Sequence, residues 1–455
     1  MLLTLVLAIA CQGPADPDDT GSGTVDWSGA LPPLAGEVDP IRGFTLQRAI
    51  VHLHSPYSHD ACDGDGLIDG EPDPACLESL REGLCALSVD VAFASDHPSH
   101  AAEQPYLDLL LAQDGDTPIS VDGTVVGNGI ACGDGHTVAW LPGIEDELMP
   151  VALDRHVSED PEENDRIYNS SDEEAVLAEI AAGAVLLMAH TEGRDLSDLE
   201  RLQDLGLRGV EMFNLHAMFA PDIRQEDLGL DGFDWLTGIG DFIHEDGEAE
   251  PDLLFLAAFQ EQGPSIERWD ALLARGAMAG VGGTDAHQNA IPMVLRDGER
   301  GDSFRRNMRW FSNVLLAEDD SAEAAEAALS AGRLYVAFEI LGTPDGFDFH
   351  LVDGTGGVWE MGSDAPPGTL HVGCPSLSAT SPRGTEAPEM AVILYRDGVP
   401  WQTECGAFEV DGPATYRVRM DLTPHHLRPF LGAEPDKWVV PYPWIYGNAI
   451  RVGGG

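Results

Sequence analysis

The sequence predicts an α/β barrel followed by a C-terminal β-sandwich. Short apolar runs alternate with helical patterns from about Ile50 to Val336, and strand-like runs separated by turns follow Phe338. Alternating strands and helices are typical of a parallel α/β architecture, most often a barrel. Regular short strands with Gly and Pro turns are typical of a sandwich.

The predicted elements follow in chain order. Six apolar runs predict barrel strands at residues 49–53, 89–94, 137–141, 184–189, 209–213 and 278–282. Apolar residues at helical spacing predict helices at residues 172–182, 197–205, 265–274 and 321–331. In the last part of the chain, strands are predicted at residues 347–352, 390–395 and 415–420. We place the domains at residues 45–342 (barrel) and 343–455 (sandwich).

Composition excludes one class of partner. The 455 residues carry a formal net charge of -55, with 79 acidic and 24 basic residues. Such a chain repels phosphate backbones and shows no basic patch with interleaved aromatics, so no nucleic-acid partner is expected.

The N-terminus predicts export. Residues 1–11 read as a signal peptide, and Leu7 to Cys11 resemble a bacterial lipobox, in which the cysteine becomes lipidated. No Lys or Arg precedes the apolar run, and an ordinary secretory signal cleaved near Ala10 is the alternative. Residues 12–44 are expected to be a flexible linker. We therefore expect an exported lipoprotein, anchored to the membrane only through Cys11 and facing the periplasm or the cell surface.

Six further cysteines suit an exported chain with disulfides. By position we expect Cys374 to pair with Cys405, Cys62 to pair with Cys76 in a short loop, and Cys85 to pair with Cys132. No Cys-x-x-Cys spacing occurs among the six, so a thiolate metal site is not expected.

The decisive pattern is the placement of histidines and acids at predicted strand ends. His52 and His54 end the first strand, Asp96 and His97 follow the second, Glu145 follows the third, His190 the fourth, and Asp285 and His287 the last. Residues two apart on a strand point to the same side, and the carboxyl ends of parallel barrel strands meet at one rim. Imidazole and carboxylate ligands suit Zn, Mn or Fe.

These motifs resemble those of the PHP (polymerase and histidinol phosphatase) family, in the family's order, over roughly residues 45–340. The resemblance implies a distorted (β/α)7 TIM-like barrel with two or three divalent ions, and ligand roles for His52, His54, His97, Glu145, His190, Asp285 and His287. It also implies an Asp or His soon after the first motif, where we favour His59 over Asp60, and a His after Glu145, where we favour His156 over His136.

The expected activity is hydrolysis of a small-molecule phosphoester by a hydroxide held between two ions about 4 Å apart. The resemblance implies that Glu145 bridges the ions, and Asp96 would orient a ligand or act as a general acid. Arg194 could bind substrate phosphate or simply pair with nearby surface acids.

Asp63, Asp65 and Asp69 lie in a segment that resembles a calcium loop, although Ala61 stands where a preceding Asp is expected. An acidic, disulfide-closed surface loop is the alternative.

The last segment, from Pro443 to Val452, resembles the closing strand of an exported, carbaryl-hydrolase-like PHP subgroup. Two further functions therefore stay open: hydrolysis of a carboxyl or carbamate ester at the same centre, and metal-containing surface binding without turnover. His425 and His426 are expected at the surface.

Overall fold

The computed structural model describes residues 23–64, 66–244 and 248–453. The expected signal peptide, Cys11 and Asp65 lie outside these residues. Among the described residues, we find no helix with both the length and the apolar character needed to cross a membrane.

The helices are mostly short and flank the strands. Their bounds are α1 (Pro74–Ala86), α2 (Pro98–Ala101), α3 (Pro161–Tyr168), α4 (Glu173–Ala181), α5 (Leu196–Leu205), α6 (Pro221–Glu226), α7 (Leu236–Ile243), α8 (Gly263–Leu273), α9 (Phe304–Met308) and α10 (Ala322–Ala331). Short 3-10 turns include Cys62–Gly64, Thr191–Gly193, His216–Met218 and Glu339–Leu341. Asp172 and Ser321 cap α4 and α10 by accepting from the backbone amides of Ala175 and Ala324.

The strands are β1 (Thr45–Leu53), β2 (Leu67–Ile68), β3 (Glu71–Pro72), β4 (Val91–Phe93), β5 (Thr117–Val121), β6 (Thr124–Ala131), β7 (Thr137–Leu141), β8 (Met149–Val151), β9 (Val185–Met188), β10 (Gly209–Asn214), β11 (Ala279–Ala286), β12 (Ser312–Ala317), β13 (Leu334–Ala337), β14 (Pro344–Asp345), β15 (Asp348–Asp353), β16 (Val358–Glu360), β17 (Asp364–Ala365), β18 (Gly368–Gly373), β19 (Ser376–Leu377), β20 (Glu389–Arg396), β21 (Val399–Gln402), β22 (Gly406–Val410), β23 (Ala414–Thr423) and β24 (Tyr442–Val452). Each predicted strand and helix overlaps an observed one.

A mixed sheet of 16 strands organises the chain. Its parallel part runs in the order β7-β4-β1-β11-β10-β9, and β8 adds antiparallel to β9. The α/β class is therefore confirmed, while closure into a (β/α)7 barrel stays a prediction. Strand β1 is buried on both faces, because Ala49 and Val51 join one apolar cluster and Ile50 and Leu53 join the other.

The C-terminal strands divide between the main sheet and a second sheet. Strands β24, β23, β20 and β21 extend the main sheet from β13, while β16-β15-β18-β22 form a second, four-stranded antiparallel sheet. The side-chain amide of Asn448, on β24, accepts from Gly280 N and donates to Gly280 O at 2.7 and 2.8 Å, inside β11. The expected boundary at residue 342 stays a prediction, but hydrogen bonds cross it.

The expected flexible linker is wrong for the described residues 23–44. Leu34 and Ile41 are buried in the main core, and Trp27 Nε1 donates to Asp252 Oδ2 at 2.9 Å. Burial of these apolar side chains is favourable, so the segment packs against the core and does not remain a solvated tether. His426 is also buried, against the expected surface position.

Three disulfides pair the six cysteines of the described residues as expected: Cys62–Cys76, Cys85–Cys132 and Cys374–Cys405. Disulfides persist in oxidising compartments, so they indicate an extracytoplasmic setting.

Candidate metal centre

The predicted ligands meet where the parallel strands end, and the backbone there is strained. His52, His190 and Asp285 have left-handed φ angles of 62°, 50° and 49°. A left-handed conformation costs a residue with a Cβ about 1–2 kcal/mol. Outliers of this kind cluster at functional sites.

A bulge between β1 and β11 brings Asp285 toward His52. Val51 pairs with Gly283 and Leu53 pairs with Ala286, so two residues of β11 lie opposite the single residue His52. An extra residue of this kind redirects side chains. As a result, Asp285 Oδ1 lies 3.2 Å from His52 Nε2.

We call His52, His54, Glu145, His190 and Asp285 the inner cluster. His52 Nε2 lies 3.1 Å from His54 Nε2, and Asp285 Oδ1 lies 3.3 Å from His54 Nε2. Asp285 Oδ2 lies 3.3 Å from His190 Nε2, with Glu145 Oε1 at 4.0 Å from that nitrogen. Ligand atoms around one tetrahedral Zn²⁺ lie roughly 3.3 Å apart, since Zn–N is about 2.0–2.1 Å. The spacing therefore fits a shared cation.

A second group, the outer cluster, consists of His54, Asp60, His97 and His287, whose ligand atoms all lie within 4.8 Å of one another. Asp60 Oδ2 is 3.1 Å from His287 Nε2 and 3.5 Å from His97 Nε2. The His54 ring stacks on that of His287 at 3.8 Å. Because His54 belongs to both clusters, they adjoin.

Each of the five clustered histidines is anchored through Nδ1. The Nδ1 partners are Glu211 Oε1 for His52, Ser58 Oγ for His54, Glu145 O for His97, Glu192 Oε1 for His190 and Asp285 O for His287, at 2.6–3.2 Å. A carboxylate or carbonyl acceptor fixes the proton on Nδ1 and leaves the Nε2 lone pair free, as metal-binding histidines require.

His287 Nε2 supplies a direct test of fit. This buried atom makes no aligned hydrogen bond, although Asp60 Oδ2 is 3.1 Å away. Buried polar atoms are otherwise almost always paired. Two ligand atoms that are close but not aligned with each other fit a cation that both would contact.

The cluster is also electrostatically coupled. Burial opposes protonation of His52, but the carboxylates of Asp285 and Glu211 outweigh it and hold the pKa of His52 well above its usual range. Burial and the neighbouring His287 lower the pKa of His54 well below its usual range. The imidazoles hold the pKa of Asp285 well below its usual range despite burial. The carboxylates of the inner cluster thus favour positive charge beside them, which either a protonated His52 or a cation would supply.

Glu211 is a residue that the sequence reading missed. Besides His52, it accepts a hydrogen bond from the His190 backbone amide at 2.9 Å, and so connects two ligand-bearing strand ends. Gly283 makes room for it, because a Cβ at that position would lie 1.7 Å from Glu211 Oε1. A fully buried acid in the middle of the apolar strand β10 was the available signal.

His216 and Glu192 were missed as well. His216 forms a ligand-type group with Asp285 and His287. It lies two residues after the end of β10. The other clustered histidines were predicted from the same kind of position, at the end of a strand. Glu192 anchors His190 at 3.2 Å.

Two preferences among the predicted ligands need correction. Asp60, and not His59, belongs to a ligand group; the exposed His59 packs near His97 and His100, with ring centres 5.0 and 6.3 Å away. His156 lies away from both clusters, where its ring nitrogens contact Tyr168 Oη at 3.1 Å and Gln104 O at 2.9 Å. Spacing along a loop does not reveal which side chain turns inward.

His136, the alternative to His156, also lies elsewhere, with Nε2 2.7 Å from Val89 O. The other predicted ligands, His52, His54, His97, Glu145, His190, Asp285 and His287, are all brought together.

Asp96 and Arg194 have other partners. The two carboxylate oxygens of Asp96 accept from Ser55 N and Ser55 Oγ at 2.6 and 2.7 Å, and burial raises its pKa to about 6. Asp96 therefore fixes the loop after β1. Arg194 pairs with the exposed Glu147 at 3.3 Å, which is the surface pairing considered above.

The calcium expectation gains no support from Asp63 and Asp69. Both Asp63 oxygens are held by Arg300 at 2.9 and 3.0 Å, which takes up the charge that Ca²⁺ would need. Among the described residues, neither aspartate belongs to a group of three ligand-type side chains. Asp65 lies outside those residues.

Comparison with known proteins gives a sparse result. No family model matches the chain, and no curated protein matches it. One similar solved structure is a two-domain protein from Bacteroides vulgatus ATCC 8482 containing a predicted PHP-like metal-dependent phosphoesterase. It is 13% identical, with a TM-score of 0.34, over 89% of this chain and 96% of that chain.

Proposed function

We propose that this protein is a metal-dependent hydrolase of small-molecule esters, most simply of phosphoesters. The observation that carries the proposal is the shared anchoring of five histidines through Nδ1, which turns their Nε2 atoms toward one another and toward Asp60, Glu145 and Asp285. This arrangement resembles the PHP pattern expected from the sequence motifs.

The bound cations, of the Zn, Mn or Fe type, would polarise the ester and lower the pKa of a nearby water. The chain's own residues orient this chemistry. Glu211 holds His52 Nδ1, and Ser58 Oγ, 3.0 Å from His54 Nδ1, donates to Asp60 Oδ1 at 2.9 Å. Asp285 lies within 3.3 Å of Nε2 of His52, His54 and His190, so its carboxylate would hold a cation together with these histidines.

Carboxyl or carbamate ester hydrolysis at the same centre is the second candidate. The net charge of -55 favours it, since a strongly acidic protein repels dianionic phosphomonoesters more than neutral esters.

We also propose that the protein is exported and held at the membrane by a lipid on Cys11. The disulfides support export, and the lipobox-like sequence supports the anchor. Metabolic labelling with a fatty acid, compared between the natural chain and Cys11→Ser, tests it: loss of label in the variant is expected, and equal labelling contradicts the anchor.

The main experiment measures bound metal and ester hydrolysis on the same preparations. Protein reconstituted with Zn²⁺, Mn²⁺ or Fe²⁺ is assayed against phosphomonoesters, phosphodiesters and carboxyl esters. We expect at least two metal ions per chain and hydrolysis that a chelator abolishes.

His52→Ala and Asp285→Ala should lose both metal and activity. His371→Ala, a histidine of β18 outside the clusters, is the matched control and should keep both. Metal bound without turnover of any ester would support the surface-binding alternative, and failure to bind any of the three metals would contradict the whole proposal.

A further inference from the structure

A cavity of about 490 Å³ adjoins the metal-ligand clusters. His216, Asp285 and His287 form part of its wall, and these three side chains bring ligand atoms within 4.8 Å of one another. Any molecule that fills the cavity therefore lies next to the proposed reaction centre.

The wall away from the clusters is aromatic. Phe219 makes an edge contact with Trp235 at 5.3 Å and lies 4.8 Å from Phe255, measured between ring centres. All three line the cavity and come from the segment between β10 and β11. Leu215 and Ile291 extend this apolar surface.

The wall of the cavity has no basic side chain, among the described residues, that would stabilise a further negative charge on a ligand. None of the described residues that line it is Lys or Arg, whereas Asp285 and Asp302 are both acidic. The Asp302 carboxylate is already held by the backbone amides of Ala290 and Ile291 at 2.6 and 2.7 Å and by the guanidinium of Arg300 at 2.6 Å, so it is not available to a ligand. Ligand pockets of this kind, largely apolar with a few polar groups at one end, bind uncharged organic groups.

We propose that this cavity binds an uncharged aromatic substituent of the ester substrate, adjacent to the bond that is broken. The inference rests on the proposed function, because it places the ester itself at Asp285 and His287. A cavity of roughly 150 Å³ accommodates benzene, so there is room for one or two rings. Nucleotides and sugar phosphates, whose substituents are charged or strongly polar, would be poor substrates.

The first test compares phenylphosphonate with methylphosphonate, which share an anionic head and differ in the ring. Affinities are measured by calorimetry on the zinc-reconstituted protein. Burying a ring in place of a methyl group should tighten binding about tenfold or more. Trp235→Ala and Ile291→Ala, on two different segments, should each reduce this preference several-fold.

Trp401→Ala is the matched control. Trp401 lies on β21 and packs on Tyr416 at 5.3 Å, away from the cavity, so this variant should keep the full preference for the phenyl compound. Thermal unfolding of each variant identifies any that fails to fold.

The second test measures hydrolysis of bis(4-nitrophenyl) phosphate and methyl 4-nitrophenyl phosphate, which carry the same charge and leaving group. The diaryl ester should show the lower KM, by about tenfold. Equal KM values, equal phosphonate affinities or no phosphonate binding would overturn the inference even if both esters are hydrolysed. Absence of hydrolysis with a retained phenyl preference would instead contradict the proposed function and leave aromatic binding supported.

Discussion

Glu211 Oε1 lies 2.6 Å from His52 Nδ1, and both side chains are fully buried. A carboxylate that orients a metal-binding imidazole typically contributes 10- to 100-fold to metal affinity. We therefore expect Glu211→Gln to weaken zinc binding by 10- to 100-fold in a chelator-competition titration, while the circular dichroism spectrum stays unchanged. Glu226→Gln, at the exposed end of α6, is the control, and equal affinities for the two variants would remove Glu211 from the site.

Gly283→Ala should reproduce much of that defect without changing any ligand. The new Cβ would lie 1.7 Å from Glu211 Oε1, so the carboxylate must leave its position beside His52. Zinc affinity should fall at least tenfold. Gly133→Ala, where a Cβ meets open space, is the matched control. An unchanged affinity for Gly283→Ala would show that Glu211 can move without consequence.

A buried ion pair connects β1 to the turn after β13. Arg48 Nε and Nη2 donate to the two oxygens of Glu339 at 2.9 Å, with both side chains 1% exposed. Glu339→Leu leaves the Arg48 charge buried without its partner, which should cost about 3–5 kcal/mol in denaturant unfolding. Arg48→Met combined with Glu339→Leu should recover part of this loss. Strictly additive effects of the two substitutions would contradict the coupling.

His426 should make stability depend on pH. Burial lowers its folded pKa to about 4, against the opposing hydrogen bond to Leu341 O. The folded protein favours the neutral form of His426. The contribution of this residue to the free energy of unfolding is therefore complete above its unfolded pKa near 6.5 and is lost as pH falls toward 4. The difference amounts to about 3 kcal/mol.

The measurement compares unfolding free energies of the natural protein and His426→Gln between pH 7 and pH 4. The natural protein should lose about 3 kcal/mol more than the variant over this range. Parallel curves would show that His426 does not titrate in this interval.

The sequence predicted the site best where histidines and carboxylates recur at the ends of strands. The strand at residues 137–141 was predicted with its observed bounds, and the strand-end rule found seven clustered residues, from His52 to His287. The hairpin of β5 and β6 was not predicted, because its first strand is largely exposed and lacks a clear apolar alternation.

The remaining errors arise from contacts between distant segments. His59 and Asp60 are neighbours in the chain, and only the route of the loop decides that Asp60 faces His287. Glu211 acquires its role from His52, 159 residues earlier; an acid inside an apolar strand marks the residue as unusual, but the local sequence does not indicate its partner.

The amide of Asn448 has a consequence for the order of events during synthesis. It satisfies both backbone polar groups of Gly280, five residues before Asp285 on the same strand. Translation proceeds from the N-terminus, so the strand that carries Asp285 leaves the ribosome long before residue 448 does. Residue 448 must therefore be synthesised before this strand gains its full set of hydrogen bonds. A polypeptide released early would carry every clustered histidine and still lack the support behind Asp285.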